Sequence, residues 1–218
     1  MADEERSRRS RWLAETGGAR GAEYAARIEA HEAGGGGHGE ADFVHALLPG
    51  PSRIVDAGCG EGRVARALRR LGHRVVGVDS DASMIAEARR REPGAVWVES
   101  DLLEVTGERL RDALGGEVDA VVAAGNVLVY VAPGTEGDVV ARCAGWLRPG
   151  GLLVAGFAAD RHLTPGDYAA TCAAAALEPV AEHGGWDGEP PSPRRPDGRA
   201  PYTVQVHRRP AAGTAHPA

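Results

Sequence analysis

The sequence predicts an α/β domain with a doubly wound, mainly parallel sheet, and three observations carry that expectation. Short apolar, β-branched runs alternate with amphipathic stretches at helical spacing through most of the chain. The run Ile54-Val55-Asp56-Ala57 passes through Gly58-Cys59-Gly60-Glu61-Gly62 into Arg63-Val64, which reads as a buried strand, a tight turn and a helix start. The next apolar run closes on an acid, Asp79. A strand that feeds a helix through a glycine turn leaves unpaired N–H groups facing the crevice above the sheet, where such folds seat their ligands.

Composition narrows the class. A chain of 218 residues with 43% hydrophobic content suffices for one domain with its own core. No apolar run approaches the length of a membrane span, and the charged stretch Met1 to Arg11 lacks the apolar centre of a signal peptide. Cys59, Cys143 and Cys172 make an odd count without metal-ligand spacing. A reduced, cytoplasmic protein with no metal and no membrane contact is therefore expected. The net charge of -6 argues against a nucleic-acid partner. All 25 basic residues are arginine, so no mechanism can use a lysine amine.

Taken in order, residues 1–11 read as a disordered tail. Trp12 to Glu32 is expected to be helical, anchored by Trp12, Ala19, Tyr24 and Ile28, and Gly34 to Gly37 form a hinge. His38 to Leu48 is a second helix, stopped by Pro49-Gly50. Beyond the glycine turn, Val64, Leu68 and Leu71 face inward, with Arg63, Arg66, Arg69 and Arg70 on the outer face. Strands two, three and four are expected at Arg74–Asp79, Val96–Glu99 and Val118–Ala124. A helix from Ser83 to Arg91 lies between the second and third, with Met84, Ile85 and Ala88 inward.

Gly125-Asn126 ends the fourth strand, and Val127–Val131 is an apolar loop carrying Tyr130. Thr135-x-x-Asp138 opens a helix as a capping box. Pro149-Gly150-Gly151 makes the turn into a fifth strand that runs to Phe157. Thr164-Pro165 caps another helix. Leu177–His183 and Pro201–His207 read as strands six and seven. Between them, a loop rich in Gly, Pro and Arg either borders the pocket through Trp186 or is a plain surface loop.

The glycine turn decides which ligand the crevice suits. A dinucleotide fingerprint would place its third glycine where Arg63 stands, but the third glycine comes one residue early, at Gly62. The pattern is D-x-G-x-G-x-G from Asp56. It resembles the first motif of the class I S-adenosylmethionine (SAM)-dependent methyltransferases. The resemblance covers roughly residues 38 to 208 and implies a Rossmann-like, seven-stranded sheet of order 3-2-1-4-5-7-6 with strand seven antiparallel. It also implies SAM as cofactor, bound by Asp56, Gly58, Cys59 and Gly60.

Asp79 lies 21 residues after Gly58, near the roughly 20 expected of an acid that meets a ribose. A carboxylate there accepts from two adjacent hydroxyls through strong, charge-assisted bonds. Ser80 follows it, and Met84 either packs on the adenine or belongs to the core. In the resembling family an acid just past the third strand accepts from the adenine amino group, which here is Asp101, with Leu102 beside it. Ala124 and Gly125 then lie under the methionine part of the cofactor. No Asn-Pro-Pro-Tyr or Asp-Pro-Pro-Tyr signature of DNA amino-group methylation follows, so the expected partner is a small-molecule methyl acceptor.

The sulfonium is an activated leaving group, so a catalytic base is not obligatory. Where one is needed, His38, His162, His31 and Tyr130 are the candidates. Asn126 either orients a substrate or satisfies a loop backbone. The resulting division is a tail at 1–11, a helical lid or cap segment at 12–50, a SAM-binding domain at 51–209 and a second tail at 210–218. The alternatives are a non-catalytic SAM-binding module and an NAD(P)-dependent oxidoreductase, the latter disfavoured by the glycine register.

Overall fold

A computed structural model describes residues 10–33, 39–192 and 200–211. Helices α1 (Arg11–Thr16), α2 (Gly21–Ala33) and α3 (Gly39–Leu47) precede β1 (Arg53–Ala57). Then come α4 (Arg63–Arg70), β2 (Arg74–Asp79), α5 (Ala82–Arg91), β3 (Val96–Glu99), α6 (Gly107–Leu114) and β4 (Val118–Ala123). The single turn α7 (Val127–Tyr130) and α8 (Glu136–Trp146) lead into β5 (Leu147–Ala158), followed by α9 (Pro165–Ala174), β6 (Glu178–His183) and β7 (Tyr202–Arg208).

The seven strands form one sheet of order β3-β2-β1-β4-β5-β7-β6, as the resemblance implies. Strands β3, β2, β1, β4 and β5 are parallel neighbours, and β7 is antiparallel to both β5 and β6. Strand β6 therefore runs the same way as β5. Consecutive strand residues point to opposite faces, and both faces are buried. Val55, Val76, Val121 and Leu153 meet Leu110 of α6, Val140 of α8 and Tyr168 of α9 on one side. Ile54, Val75, Val122 and Val154 meet Val44 of α3, Leu68 of α4 and Ile85 of α5 on the other.

Several local expectations give way to the three-dimensional arrangement. The stretch Trp12–Glu32 is two helices, because Gly17 (φ 70°) ends α1 with its N–H on the Leu13 carbonyl and Gly18 also has positive φ. The Thr135 capping box does not form. Its backbone (φ -101°, ψ 3°) is not extended, and its hydroxyl donates to the Ala132 carbonyl instead. Thr164, which is extended (φ -82°, ψ 158°), does form a box with Asp167. Val127–Tyr130 is a helical turn, with Val129 and Tyr130 N–H groups on the Asn126 carbonyl. Pro149-Gly150-Gly151 lies inside β5: Val118 pairs with Leu147 and Ala120 with Leu152, so the residues between bulge out.

Helix α4 shows the largest departure. Leu71 is 36% exposed, whereas Arg66, expected on the outer face, is buried. Its guanidinium holds the Glu61 carboxylate at 2.7 Å and the Glu61 carbonyl at 2.6 Å, and Arg91 approaches the same carboxylate at 3.5 Å. Glu61 is 1% exposed, so its charge depends on these partners. Arg66→Ala is expected to lower unfolding free energy by about 3 kcal/mol, the cost of leaving a buried carboxylate under-paired. Urea denaturation measures this, and a loss no larger than that of an exposed arginine such as Arg70 would contradict it.

Candidate active site

The C-terminal ends of β1, β2, β3 and β4 open onto one cleft of about 250 Å³, at the point where strand order reverses between β1 and β4. Asp56, on β1, is 2% exposed and accepts the Ala65 N–H at 2.9 Å through Oδ2. Burial pushes its carboxyl up to about 7, against the Ala65 N–H and the Arg63 charge, which lower it. The folded value lies above the ordinary 3.8, so the folded protein binds the extra proton and stability falls as pH rises from about 4 to 7. Asp56→Asn keeps an acceptor for Ala65 but has no charge to bury. Its stability relative to wild type, measured by urea unfolding without ligand, is expected to grow over that window. Parallel profiles would refute this.

The glycine turn follows. Gly58 (φ 70°) leaves no room for a Cβ, which would lie 2.5 Å from Val127 Cγ2. The Gly58 and Cys59 N–H groups bond the Val78 carbonyl, fixing the turn on β2. Gly60 (φ 53°) donates its N–H to Asp79 Oδ2 at 2.8 Å, and Asp79 Oδ1 accepts the Asp81 N–H at 2.8 Å. Two backbone donors thus aim the Asp79 carboxylate at the cleft. Burial nevertheless raises its pKa, opposed by those donors. Burial also pushes the Cys59 thiol well above its usual range, so it is no ready nucleophile.

Ser80, Met84, Asp101, Leu102, Ala124 and Gly125 line the same cleft, so all eleven residues expected to bind the cofactor converge there. Asp101 Oδ1 accepts the Leu103 N–H at 2.9 Å. Asn126 and Tyr130 also line it. The Asn126 amide oxygen accepts the Ala158 N–H at 2.7 Å and so satisfies backbone at the end of β5. His162 does not line the cleft; its Nε2 lies 3.2 Å from Glu136 Oε1. His38, the Gly34–Gly37 hinge and the His31 side chain lie outside the described residues. The Trp186 ring packs on Phe43 at 5.6 Å and passes over Gly156, and it does not line the cleft.

The amino-terminal helices supply lining that the sequence did not assign to a site: Trp12, Tyr24 and Arg27. Trp12 Nε1 donates to Asp81 Oδ2 at 2.7 Å, and the Gly21 N–H donates to Ser83 Oγ at 2.9 Å. Arg11 pairs with Glu136 at 2.9 Å on the opposite rim. The segment is therefore tied to α5 on one side of the cleft and to α8 on the other. The Trp12 ring meets Tyr24 and Tyr130 edge-on, each at 5.8 Å between centroids. Arg63, also in the lining, is held in a fork by Glu40 of α3, with one contact at 2.8 Å.

A glycine turn, a strand-end acid aimed by backbone amides and a second acid beyond β3 define a nucleoside-binding α/β site. The family model for a methyltransferase domain matches residues 54–151. A solved TehB-like SAM-dependent methyltransferase from Corynebacterium glutamicum is 30% identical, with a TM-score of 0.75 over 86% of this chain and 97% of that one. The ubiquinone biosynthesis O-methyltransferase of Nitrosococcus oceani is 33% identical over 126 residues, 57% of this chain and 49% of the relative. A Burkholderia thailandensis 1,6-didemethyltoxoflavin-N1-methyltransferase, solved with bound 1,6-didemethyltoxoflavin and S-adenosylhomocysteine (SAH), shares the fold (24% identity, TM-score 0.60, 86% of this chain and 89% of that one). The chain belongs to the class I SAM-dependent methyltransferases. It spans about half the length of the curated relatives it matches. Among the described residues no helix is long and apolar enough to cross a membrane.

Proposed function

We propose that this chain binds SAM in the β1–β4 cleft and methylates a small molecule at an O, N, S or C nucleophile, as a cytoplasmic enzyme. The observation that carries this is the Asp79 carboxylate, aimed by the Gly60 and Asp81 N–H groups into the cleft that Asp56, Gly58 and Gly125 share. Its remaining lone pairs suit a vicinal diol, and the space above Gly125, where a Cβ would meet no atom within 4 Å, suits a ligand lying on the backbone. When bound, SAM supplies an electrophilic methyl carbon on a cationic sulfur. The protein supplies alignment and exclusion of water, and alignment alone is worth up to roughly 7–11 kcal/mol.

Residues 12–50 act in this reading as a cover over the bound cofactor, anchored through Trp12 on Asp81, and Arg11, expected in the tail but the first residue of α1, adds a second anchor on Glu136. Residues 51–209 form the SAM-binding domain. Calorimetric titration with SAH tests the cofactor assignment. Micromolar binding with one site is the expected result, and no heat from a folded sample would defeat it. Slower tryptic cleavage before residue 50 in the presence of SAH is the expected signature of the cover.

A further inference from the structure

Resting on that reading, we infer that Asn126 is a positioning residue. It fixes the Gly125 backbone, on which the methionine half of the cofactor lies, by tying it to β5, and not by touching the ligand. Asn126 stands in the left-handed region, with φ 70° and ψ 20°. Among the described residues other than glycine, only Ala176 also has a positive φ. Glycine adopts this conformation freely, whereas asparagine does so at a cost that its side chain has to offset.

Hydrogen bonds to two elements hold Asn126 there. Its N–H donates to the Gly156 carbonyl at 3.2 Å and its amide oxygen accepts the Ala158 N–H at 2.7 Å, so one residue bonds the end of β5 twice. Its own carbonyl accepts the Val129 and Tyr130 N–H groups at 2.9 and 3.2 Å, which opens α7. The amide nitrogen has no acceptor among the described residues, so the amide oxygen carries the side-chain tie. Gly125, just before it, has φ 73°, and a Cβ there would meet no atom within 4 Å. Packing above Gly125 therefore cannot set its position. Helix α7 has anchors of its own. Leu128 and Val129 are buried in the core, and Val127 lies so close to the glycine turn that a Gly58 Cβ would come within 2.5 Å of it. Loss of the Asn126 amide oxygen would leave α7 and the glycine turn in place and loosen only Gly125 and residue 126. The adenosine half of the cofactor, assigned to Asp79 and Asp101, would not feel the change.

The test is calorimetry on wild type, Asn126→Gly and Asn126→Asp with two ligands: SAH, and methylthioadenosine, which keeps the adenosine and the thioether but lacks the amino-acid part. Glycine keeps the backbone conformation and loses the tie, whereas aspartate keeps an oxygen for the Ala158 N–H. Asn126→Gly is expected to weaken SAH roughly tenfold, the worth of one hydrogen bond, while methylthioadenosine stays within about twofold of wild type. Asn126→Asp is expected to hold SAH within about threefold of wild type, because the tie persists. Both variants are expected to melt within about 4 °C of wild type. An equal loss for the two ligands, or no loss for either, overturns the inference. If aspartate costs as much SAH affinity as glycine, the amide N–H groups of Asn126 touch the cofactor directly and the positioning role is overturned. Failure of the methyltransferase reading looks different: wild type would then bind neither ligand.

Discussion

Asp79→Ala is expected to lower SAH affinity about a hundredfold while the fold persists. The Asp79 carboxylate is positioned by the Gly60 and Asp81 amides, so its geometry is set before any ligand arrives. In the proposed reading two charge-assisted bonds to adjacent ribose hydroxyls together contribute roughly 3 kcal/mol, which is that hundredfold. Losing the side chain also frees the Gly60 N–H, which loosens the turn beneath the cofactor. Stability itself has opposing contributions: burial raises the Asp79 pKa, so removing the charge helps, while two backbone donors lose their acceptor. A net change within about 1 kcal/mol follows. Calorimetry with SAH alongside urea unfolding separates the two effects, and near-wild-type affinity would remove the ribose assignment.

Gly62→Ala is expected to destabilise the protein strongly. Gly62 has φ 83°, where an L-residue is strained by roughly 1–2 kcal/mol. An added Cβ would also lie 2.3 Å from Cη2 of Trp97. Trp97 cannot retreat. The same ring also lies against Gly77, where a Cβ would sit 2.5 Å from it, and its Nε1 donates to the Glu92 carbonyl at 3.0 Å. Overpacking of this kind adds about 1–3 kcal/mol. The sum corresponds to a fall in melting temperature of about 10 °C, readable by circular dichroism. Trp97→Ala is expected to remove the packing part of the Gly62→Ala penalty in a double-mutant cycle, leaving the backbone strain. A purely additive pair would contradict the packing argument.

That pair also explains the glycine register. The third glycine of the motif does not line the cleft; it makes room for Trp97, which bridges the start of α4 and β2. The motif was legible as a pattern because turn chemistry is local, but its third position answers to a residue on β3. Arg66 was misread for a similar reason. Helical periodicity placed it with Arg63, Arg69 and Arg70, and only the fold brings Glu61 and Arg91 around it. Thr135 carried the right residues for a capping box and the wrong backbone, whereas Thr164 had both. Arg27 was not singled out at all, because nothing in its neighbours along the chain separates it from the other arginines.

The sequence by itself determined the strands, their alternation with helices, the glycine turn and the acids at Asp56, Asp79 and Asp101. These follow from side-chain periodicity and turn geometry among residues a few positions apart. Their convergence on one cleft follows in turn from the parallel sheet, which places the carboxyl ends of neighbouring strands together. Only the tertiary structure decided which side chains outside the sheet line that cleft and how they are fastened. Trp12 reaches Asp81, Arg11 reaches Glu136 and Glu40 grips Arg63 through contacts between segments far apart in the chain. Such contacts arise from how helices dock on a finished sheet, and local sequence preference carries no record of that docking.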